Sequence, residues 1–204
     1  MSNAPKTLTT LQQQRLLLYL TTPAGSPGRV RKKLRNYTMA LLMLDAGLRV
    51  GEVVKLKRGS LIFAGHFIDS LILPASITKG HTERTVPLTQ RLKIAIQQMH
   101  ADYWLYYDIG PDDYAFTKGA NHTPLTTRQV ERIIEKASIC AFGSTVYPHE
   151  LRHTFASRLM RTVNARVVQQ LLGHKQLSST QIYTHPNHQD LVEAVKTIEP
   201  TEVR

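Results

Sequence analysis

The chain has 204 residues, enough for one domain with a full hydrophobic core, or for one domain and a small appendage. Hydrophobic residues make up 42% of it, which excludes a wholly disordered chain, and no run reaches the ~18 consecutive apolar residues that a membrane span needs. Lys and Arg number 26 against 15 Asp and Glu, a formal charge of +11 with a pI near 10.0, which points modestly toward a polyanionic partner, since membranes and acidic proteins attract cations too.

Residues 8–20 read as a first helix, with Leu11, Leu16, Leu17, Leu18 and Leu20 as its apolar surface and Thr7 or Thr9 as its cap. The stretch 21–28 is rich in Pro, Gly and Ser and reads as a loop. A second helix is predicted over 30–46 and stopped by Gly47, followed by a short helix over about 50–56. The period then changes. Residues 61–63, 70–73 and 84–88 read as three short strands, with turns at 64–66 and 79–83, which predicts a small antiparallel sheet set into a helical protein.

Helical patterning returns over 89–106, gives way to a loop at 108–113, and resumes over 126–141, capped by Thr126 or Thr127. The last third reads as short helices over about 149–162, 165–172, 179–184 and 189–198, with Asn164 as the cap of the second. The single cysteine, Cys140, excludes an intramolecular disulfide and a cysteine-rich zinc site; its neighbours Ile139, Ala141 and Phe142 predict a buried, inert thiol. The N-terminus lacks the charged-then-apolar pattern of a secretory signal, so a cytoplasmic, prokaryotic protein is expected.

Six side chains stand in contexts that invite chemistry. Taken alone, each has an ordinary explanation. Arg49, in Gly47-Leu48-Arg49-Val50-Gly51-Glu52, could be a surface arginine paired with Glu52 one turn on; it could equally be a planar fork presented to a phosphate and held by Glu52. Lys79 in a hairpin turn is most simply solvated, but an ammonium at a hairpin tip can reach a neighbouring cleft and donate a proton. His149 and Arg152 share a helix face behind Pro148. His149-Glu150-Leu151-Arg152-His153 also fits the short zinc-protease pattern, which has a high false-positive rate.

His174 follows the helix-ending Gly173, and Tyr183 sits on a short helix that Ser178 or Ser179 would cap. Together these residue types are what cleavage of a phosphodiester by tyrosine requires. A phenol with a pKa of about 10 is a weak nucleophile at neutral pH, and neighbouring cations favour its ionised form. Preorganised donors stabilise charge on the non-bridging oxygens, and the departing oxygen needs a proton.

The ordered set resembles the tyrosine recombinase (phage integrase) family over about residues 8–198. Gly47-Leu48-Arg49 with Glu52 looks like its first arginine box, and Thr78-Lys79-Gly80 through Arg84-Thr85-Val86-Pro87-Leu88 like its lysine hairpin. His149 through Ala156 looks like the second box, and Leu171-Leu172-Gly173-His174 with Ser179 through His185 like the terminal box. Val50-Gly51 departs from the Ile-Ser that the family more often has there.

The resemblance implies an α+β fold, mostly helical with a small three-stranded antiparallel sheet. It implies Tyr183 as nucleophile, Arg49 and Arg152 as clamps on the non-bridging oxygens, His149 and His174 as hydrogen-bonding and proton-moving groups, Lys79 as the acid that protonates the 5′-oxygen, and Glu52 in support. It implies double-stranded DNA as substrate, a 3′-phosphotyrosine intermediate, no cofactor and no metal, and a tetramer on paired DNA sites in a prokaryotic, phage or mobile-element setting.

Residues 1–7 are expected to be a disordered segment that could include an expression scar, 8–186 the catalytic domain, and 187–204 a C-terminal helix and tail. In that tail, Leu191, Val195 and Ile198 form a stripe suited to docking on a neighbouring subunit. Arg49 lies too early for the family's separate N-terminal DNA-binding domain, so a shortened chain or a naturally compact member is expected. The alternatives are a type IB topoisomerase, a non-catalytic DNA-binding relative, and a zinc hydrolase built on His149 and His153.

Overall fold

The computed structural model describes residues 5–22 and 25–173. His174, Tyr183 and the helices predicted over 179–184 and 189–198 lie outside the described residues.

Helix α1 (Thr10–Thr21) starts at a capping box in which Thr9 and Gln12 satisfy each other's backbone N–H groups. It buries Leu16 and Leu20, while Leu11 and Leu18, expected on the same apolar surface, face solvent. Just before it, the Leu8 N–H donates to Thr154 Oγ1 at 2.9 Å and ties the start of the domain to a distant helix.

Helix α2 (Pro27–Asp45) begins three residues earlier than the periodicity predicts. Proline is tolerated in a first turn and Ser26 stands at the N-cap. Every residue from Thr38 to Asp45 is buried, so the second half of α2 is covered all round and forms the centre of the domain, packed by α1, α4, α5 and α6 (bounds below), with the buried Asp45 paired to Arg91.

The chain leaves α2 through Gly47, whose φ of +62° lies in the left-handed region. A Cβ there would clash with Phe155 Cδ1 and Cε1. Gly47→Ala therefore meets both a backbone penalty and a ring clash. It is expected to cost about 2–5 kcal/mol and to lower the Tm by roughly 4–20 °C. An unchanged Tm in a thermal melt would contradict this close approach.

After the four-residue α3 (Val50–Val53) come four strands, not three: β1 (Ile62–Phe63), β2 (His66–Phe67), β3 (Ser70–Leu73) and β4 (Arg84–Pro87). They form two separate antiparallel hairpins, with Ile62 opposite Phe67 in the first and Leu71 opposite Val86 in the second. The predicted single three-stranded sheet is thus divided. Ala64 and Gly65 both take positive φ, +48° and +81°, which suits a two-residue hairpin turn. That tight turn folds β1 back onto its own neighbour and leaves β3 to pair with β4 alone. The α+β, mostly helical class holds.

The helix predicted over 89–106 is α4 (Gln90–Met99), capped by Thr89, followed by a π-turn over His100–Trp104. The wider turn lets the consecutive Tyr103 and Trp104 both be fully buried, with Tyr103 Oη donating to the Thr117 carbonyl at 2.7 Å and Trp104 Nε1 to the Ala115 carbonyl at 2.8 Å.

Helix α5 (Thr127–Phe142) is capped by Thr126 and buries Val130, Ile134, Ala137 and Ser138. Cys140 falls off that stripe and is exposed, contrary to the expectation from its apolar neighbours in sequence. On a helix, adjacent residues point about 100° apart, so flanking apolar residues do not bury it. Helix α6 (Pro148–Met160) opens with Pro148, and α7 (Ala165–Leu172) is capped by the Asn164 side chain and ended by Gly173 at φ +64°. No helix among the described residues is long and apolar enough to cross a membrane.

Candidate active site

Arg49 stands at the N-cap of α3, where the chain has just turned through Gly47. Glu52, at the third position of that short helix, closes the turn. Its Oε2 accepts the Arg49 backbone N–H at 2.8 Å and its Oε1 accepts Arg49 Nη1 at 3.2 Å. The pairing of Arg49 with Glu52 read from their spacing is therefore present, but it is the weaker part of what Glu52 does.

The Glu52 carboxylate is buried and receives the fork of Arg84, with Nη1 at 2.9 Å from Oε1 and Nη2 at 2.6 Å from Oε2. Arg152 Nη1 approaches Oε2 at 4.0 Å. Burial is the largest single influence on the Glu52 carboxyl and raises its pKa. The Arg84 hydrogen bonds and charge, the Arg49 N–H and the Arg152 charge together outweigh it and hold the group below its ordinary value. Glu52 is thus ionised at neutral pH. Among the described residues, this one carboxylate stands among three guanidinium groups, a cationic excess.

Arg84 and Arg152 also close the end of α7. Arg84 Nε donates to the Leu171 carbonyl at 3.0 Å and Arg152 Nη2 to the Leu172 carbonyl at 2.8 Å. Two cations on the last carbonyls of a helix match its dipole. Arg152 Nη1 further donates to the Gly47 carbonyl, joining α6 to the turn that presents Arg49.

The three arginines differ in access. The side chains of Arg84 and Arg152 are 3% and 7% exposed, against 29% for Arg49. Arg49 opens onto a cleft of about 510 Å³ between α3, the β3–β4 loop and the start of α5, whose wall includes Lys55, Lys79, His81, Thr127 and Glu131. Lys79 is exposed in this cleft. Its loop is held by Thr78 Oγ1, which accepts the Thr82 N–H at 3.1 Å and lies within hydrogen-bond distance of the Thr82 and Ala75 carbonyls.

His149 occupies the first turn of α6, one turn before Arg152, with its side chain 65% exposed. Its ring lies parallel to that of Tyr147 (centroids 6.0 Å apart, 7° between planes) and edge-on to His153 at 5.7 Å. His153 is held below the ordinary histidine pKa, first by burial and then by the His149 and Arg152 charges. Among the described residues, no group of three or more His, Cys, Asp or Glu side chains is placed to hold a metal ion, so His149 and His153 have no third such ligand there.

The structure thus brings together Arg49 and Lys79 in one cleft, and Arg49, Glu52 and Arg152 in one buried cluster. The described contacts of His149 are with Tyr147, Glu150 and His153. Arg84 is the member that motif reading placed in the hairpin but gave no role. A signal was available: in β4, Arg84 and Val86 face inward while Thr85 and Pro87 face out. A charged residue on the buried face of a strand needs a buried partner.

The mostly helical fold with small β-hairpins is shared with solved structures. The chain belongs to the phage integrase family, whose model matches residues 6–190. Within that family it is 36% identical to a tyrosine recombinase of Pseudothermotoga lettingae over 82% of this chain and 55% of that protein. It is 34% identical to the tyrosine recombinase XerA of Pyrococcus furiosus over 81% of this chain and 55% of the relative. The chain thus spans about half the length of these relatives. A crystal structure of XerA recombinase superposes with a TM-score of 0.75 at 26% identity, covering 98% of this chain and 68% of that one. XerH site-specific recombinase bound to its difH substrate in a pre-cleavage complex gives 0.69 at 25% identity, covering 97% and 55%.

Proposed function

We propose that this chain carries the catalytic portion of a site-specific tyrosine recombinase, which cleaves and rejoins double-stranded DNA through a 3′-phosphotyrosine link. The observation that carries the reading is the single constellation of Arg49, Arg152 and the buried Glu52 beside the Lys79 cleft, in a chain of the phage integrase family.

In this reading Arg49 and Arg152 engage the non-bridging oxygens of the scissile phosphate, and the cationic excess around Glu52 favours the phenolate of Tyr183. The Tyr183 oxygen attacks phosphorus, the bond from phosphorus to the 5′-oxygen breaks, and Lys79 gives that oxygen its proton. His149 and His174 donate hydrogen bonds and move protons around the same phosphate. A 5′-hydroxyl from a second duplex then attacks the phosphotyrosine, and the tyrosine oxygen leaves. The phosphoester is conserved through both steps, so the exchange itself consumes no nucleotide and calls for no metal. Paired DNA sites held by a tetramer, in a cytoplasmic setting on bacterial, phage or mobile-element DNA, complete the proposal.

The test uses the full chain and a pool of nicked duplexes with randomised arms, in which cleavage at the nick frees a short oligonucleotide and traps the covalent product. Denaturing electrophoresis should show a protein–DNA adduct that survives chelator and is absent from Tyr183→Phe. An adduct that persists in Tyr183→Phe would sink the assignment. Relaxation of supercoiled plasmid without exchange between two copies of the selected duplex would mark a topoisomerase instead.

A further inference from the structure

We infer that Arg84 is a positioning residue for the phosphate site: it occupies the Glu52 carboxylate so that Arg49 stays available to substrate. The inference rests on the recombinase reading only for its consequence in cleavage.

Arg84 does not line the cleft that Arg49 opens onto, and its side chain is 3% exposed. Each of its three nitrogens donates inside the protein, Nη1 and Nη2 to Glu52 and Nε to the Leu171 carbonyl. The planar fork fixes the plane of the carboxylate. A carboxylate offers about four acceptor directions. Two are taken by Arg84 and one by the Arg49 backbone N–H, which leaves Arg49 a single side-chain bond of 3.2 Å. Arg49 is therefore aimed by Glu52 but not captured by it, and it lines the cleft with its side chain 29% exposed.

Without Arg84, the cations near the buried carboxylate among the described residues are Arg49 and Arg152, and Arg152 already stands 4.0 Å away. A buried carboxylate pairs with whatever cation is in reach, because an unpaired one is costly. It would then neutralise the guanidinium groups that must meet the phosphate. Arg84 also holds the α7 carbonyl next to the one that Arg152 holds, so the Glu52 turn and the end of α7 are registered by one side chain.

Arg84→Met is the test, with Glu52→Gln added to it as the second variant. On the duplex selected from the pool, Arg84→Met should bind DNA with little change in Kd but form adduct about 100- to 1000-fold more slowly at saturating DNA, comparable to the loss of one charge-stabilising donor. The double variant should recover much of that rate, because a neutral amide does not capture Arg49. A merely structural Arg84 predicts no such recovery.

A second readout needs no DNA. Phenylglyoxal, which modifies accessible guanidinium groups, should label Arg49 more slowly in Arg84→Met than in the parent, as followed by mass spectrometry, and at the parental rate in the double variant. Unchanged labelling, a wild-type cleavage rate in Arg84→Met, or a double variant no faster than the single one overturns the inference. If Arg84→Met does not fold by circular dichroism, the same measurements pass to Arg84→Lys, which keeps the charge and loses the fork; wild-type labelling and cleavage there overturn it equally. A parent chain that forms no adduct while the labelling pattern holds counts against the recombinase reading and leaves the positioning role standing.

Discussion

Glu52→Ala is expected to destabilise the domain by about 3–5 kcal/mol, a large share of the 5–15 kcal/mol that holds a typical domain folded. The side chain is buried, and its loss leaves the Arg84 guanidinium inside the protein with the Leu171 carbonyl as its one hydrogen-bond partner among the described residues. It also removes the carboxylate oxygen that accepts the Arg49 backbone N–H and holds Arg49 at the head of α3. Urea unfolding followed by circular dichroism measures the change. A midpoint within error of the parent would show that the cluster contributes nothing to folding.

The same group sets a pH dependence. Its folded pKa lies below the ordinary 4.5, so the folded state favours the ionised form more than the unfolded chain does. The stabilisation is therefore full above the ordinary glutamate value and is lost as pH falls through the lower folded value. The parent should lose stability on acidification below about pH 4.5 more steeply than Glu52→Gln, which has no proton to take up at this site. Parallel profiles would remove Glu52 from the acid transition.

Lys79→Ala is expected to leave the fold intact and to slow cleavage by roughly 100- to 10,000-fold, the usual worth of general-acid help. Lys79 is exposed and none of the described hydrogen bonds or ion pairs that hold its loop involves its side chain; the loop is held by Thr78. The leaving 5′-alkoxide is a strong base and needs a proton as it departs. Replacing that oxygen by sulfur supplies a far better leaving group, since a thiol ionises near pH 8.5. Cleavage of the sulfur-substituted duplex should therefore be nearly equal in the parent and in Lys79→Ala. If the variant is slow on both substrates, Lys79 binds the phosphate and is not the acid. If it is fast on both, Lys79 has no part in the step.

Much of the helical architecture can be read from local chemistry. Thr9, Thr89, Thr126 and Asn164 carry side-chain caps at helix starts, and Gly47 and Gly173 stand at positive φ where helices end, because capping and left-handed turns depend on a few adjacent residues. Spacing along the chain also picked out Arg49 with Glu52, and His149 with Arg152, as members of single helical turns, and the ordered motifs placed the chain in its family.

Features that depend on contacts between distant segments were not available in that way. The division of the strands into two hairpins depends on which edges find each other, and the π-turn on where Tyr103 and Trp104 find carbonyl partners across the core. The exposure of Cys140 depends on which stripe of α5 meets the core.

The cluster is the clearest case. Local spacing gives Glu52 to Arg49, three residues away. Packing gives the carboxylate chiefly to Arg84, 32 residues away, because a buried anion takes the cation with the best-oriented fork wherever the chain delivers one. Identity of side chains and order of motifs are local and survive in one dimension. Which charge neutralises which, and which arginine remains free for a ligand, is a property of dehydrated side chains competing for the same few oxygens, and that competition exists only once the chain has packed.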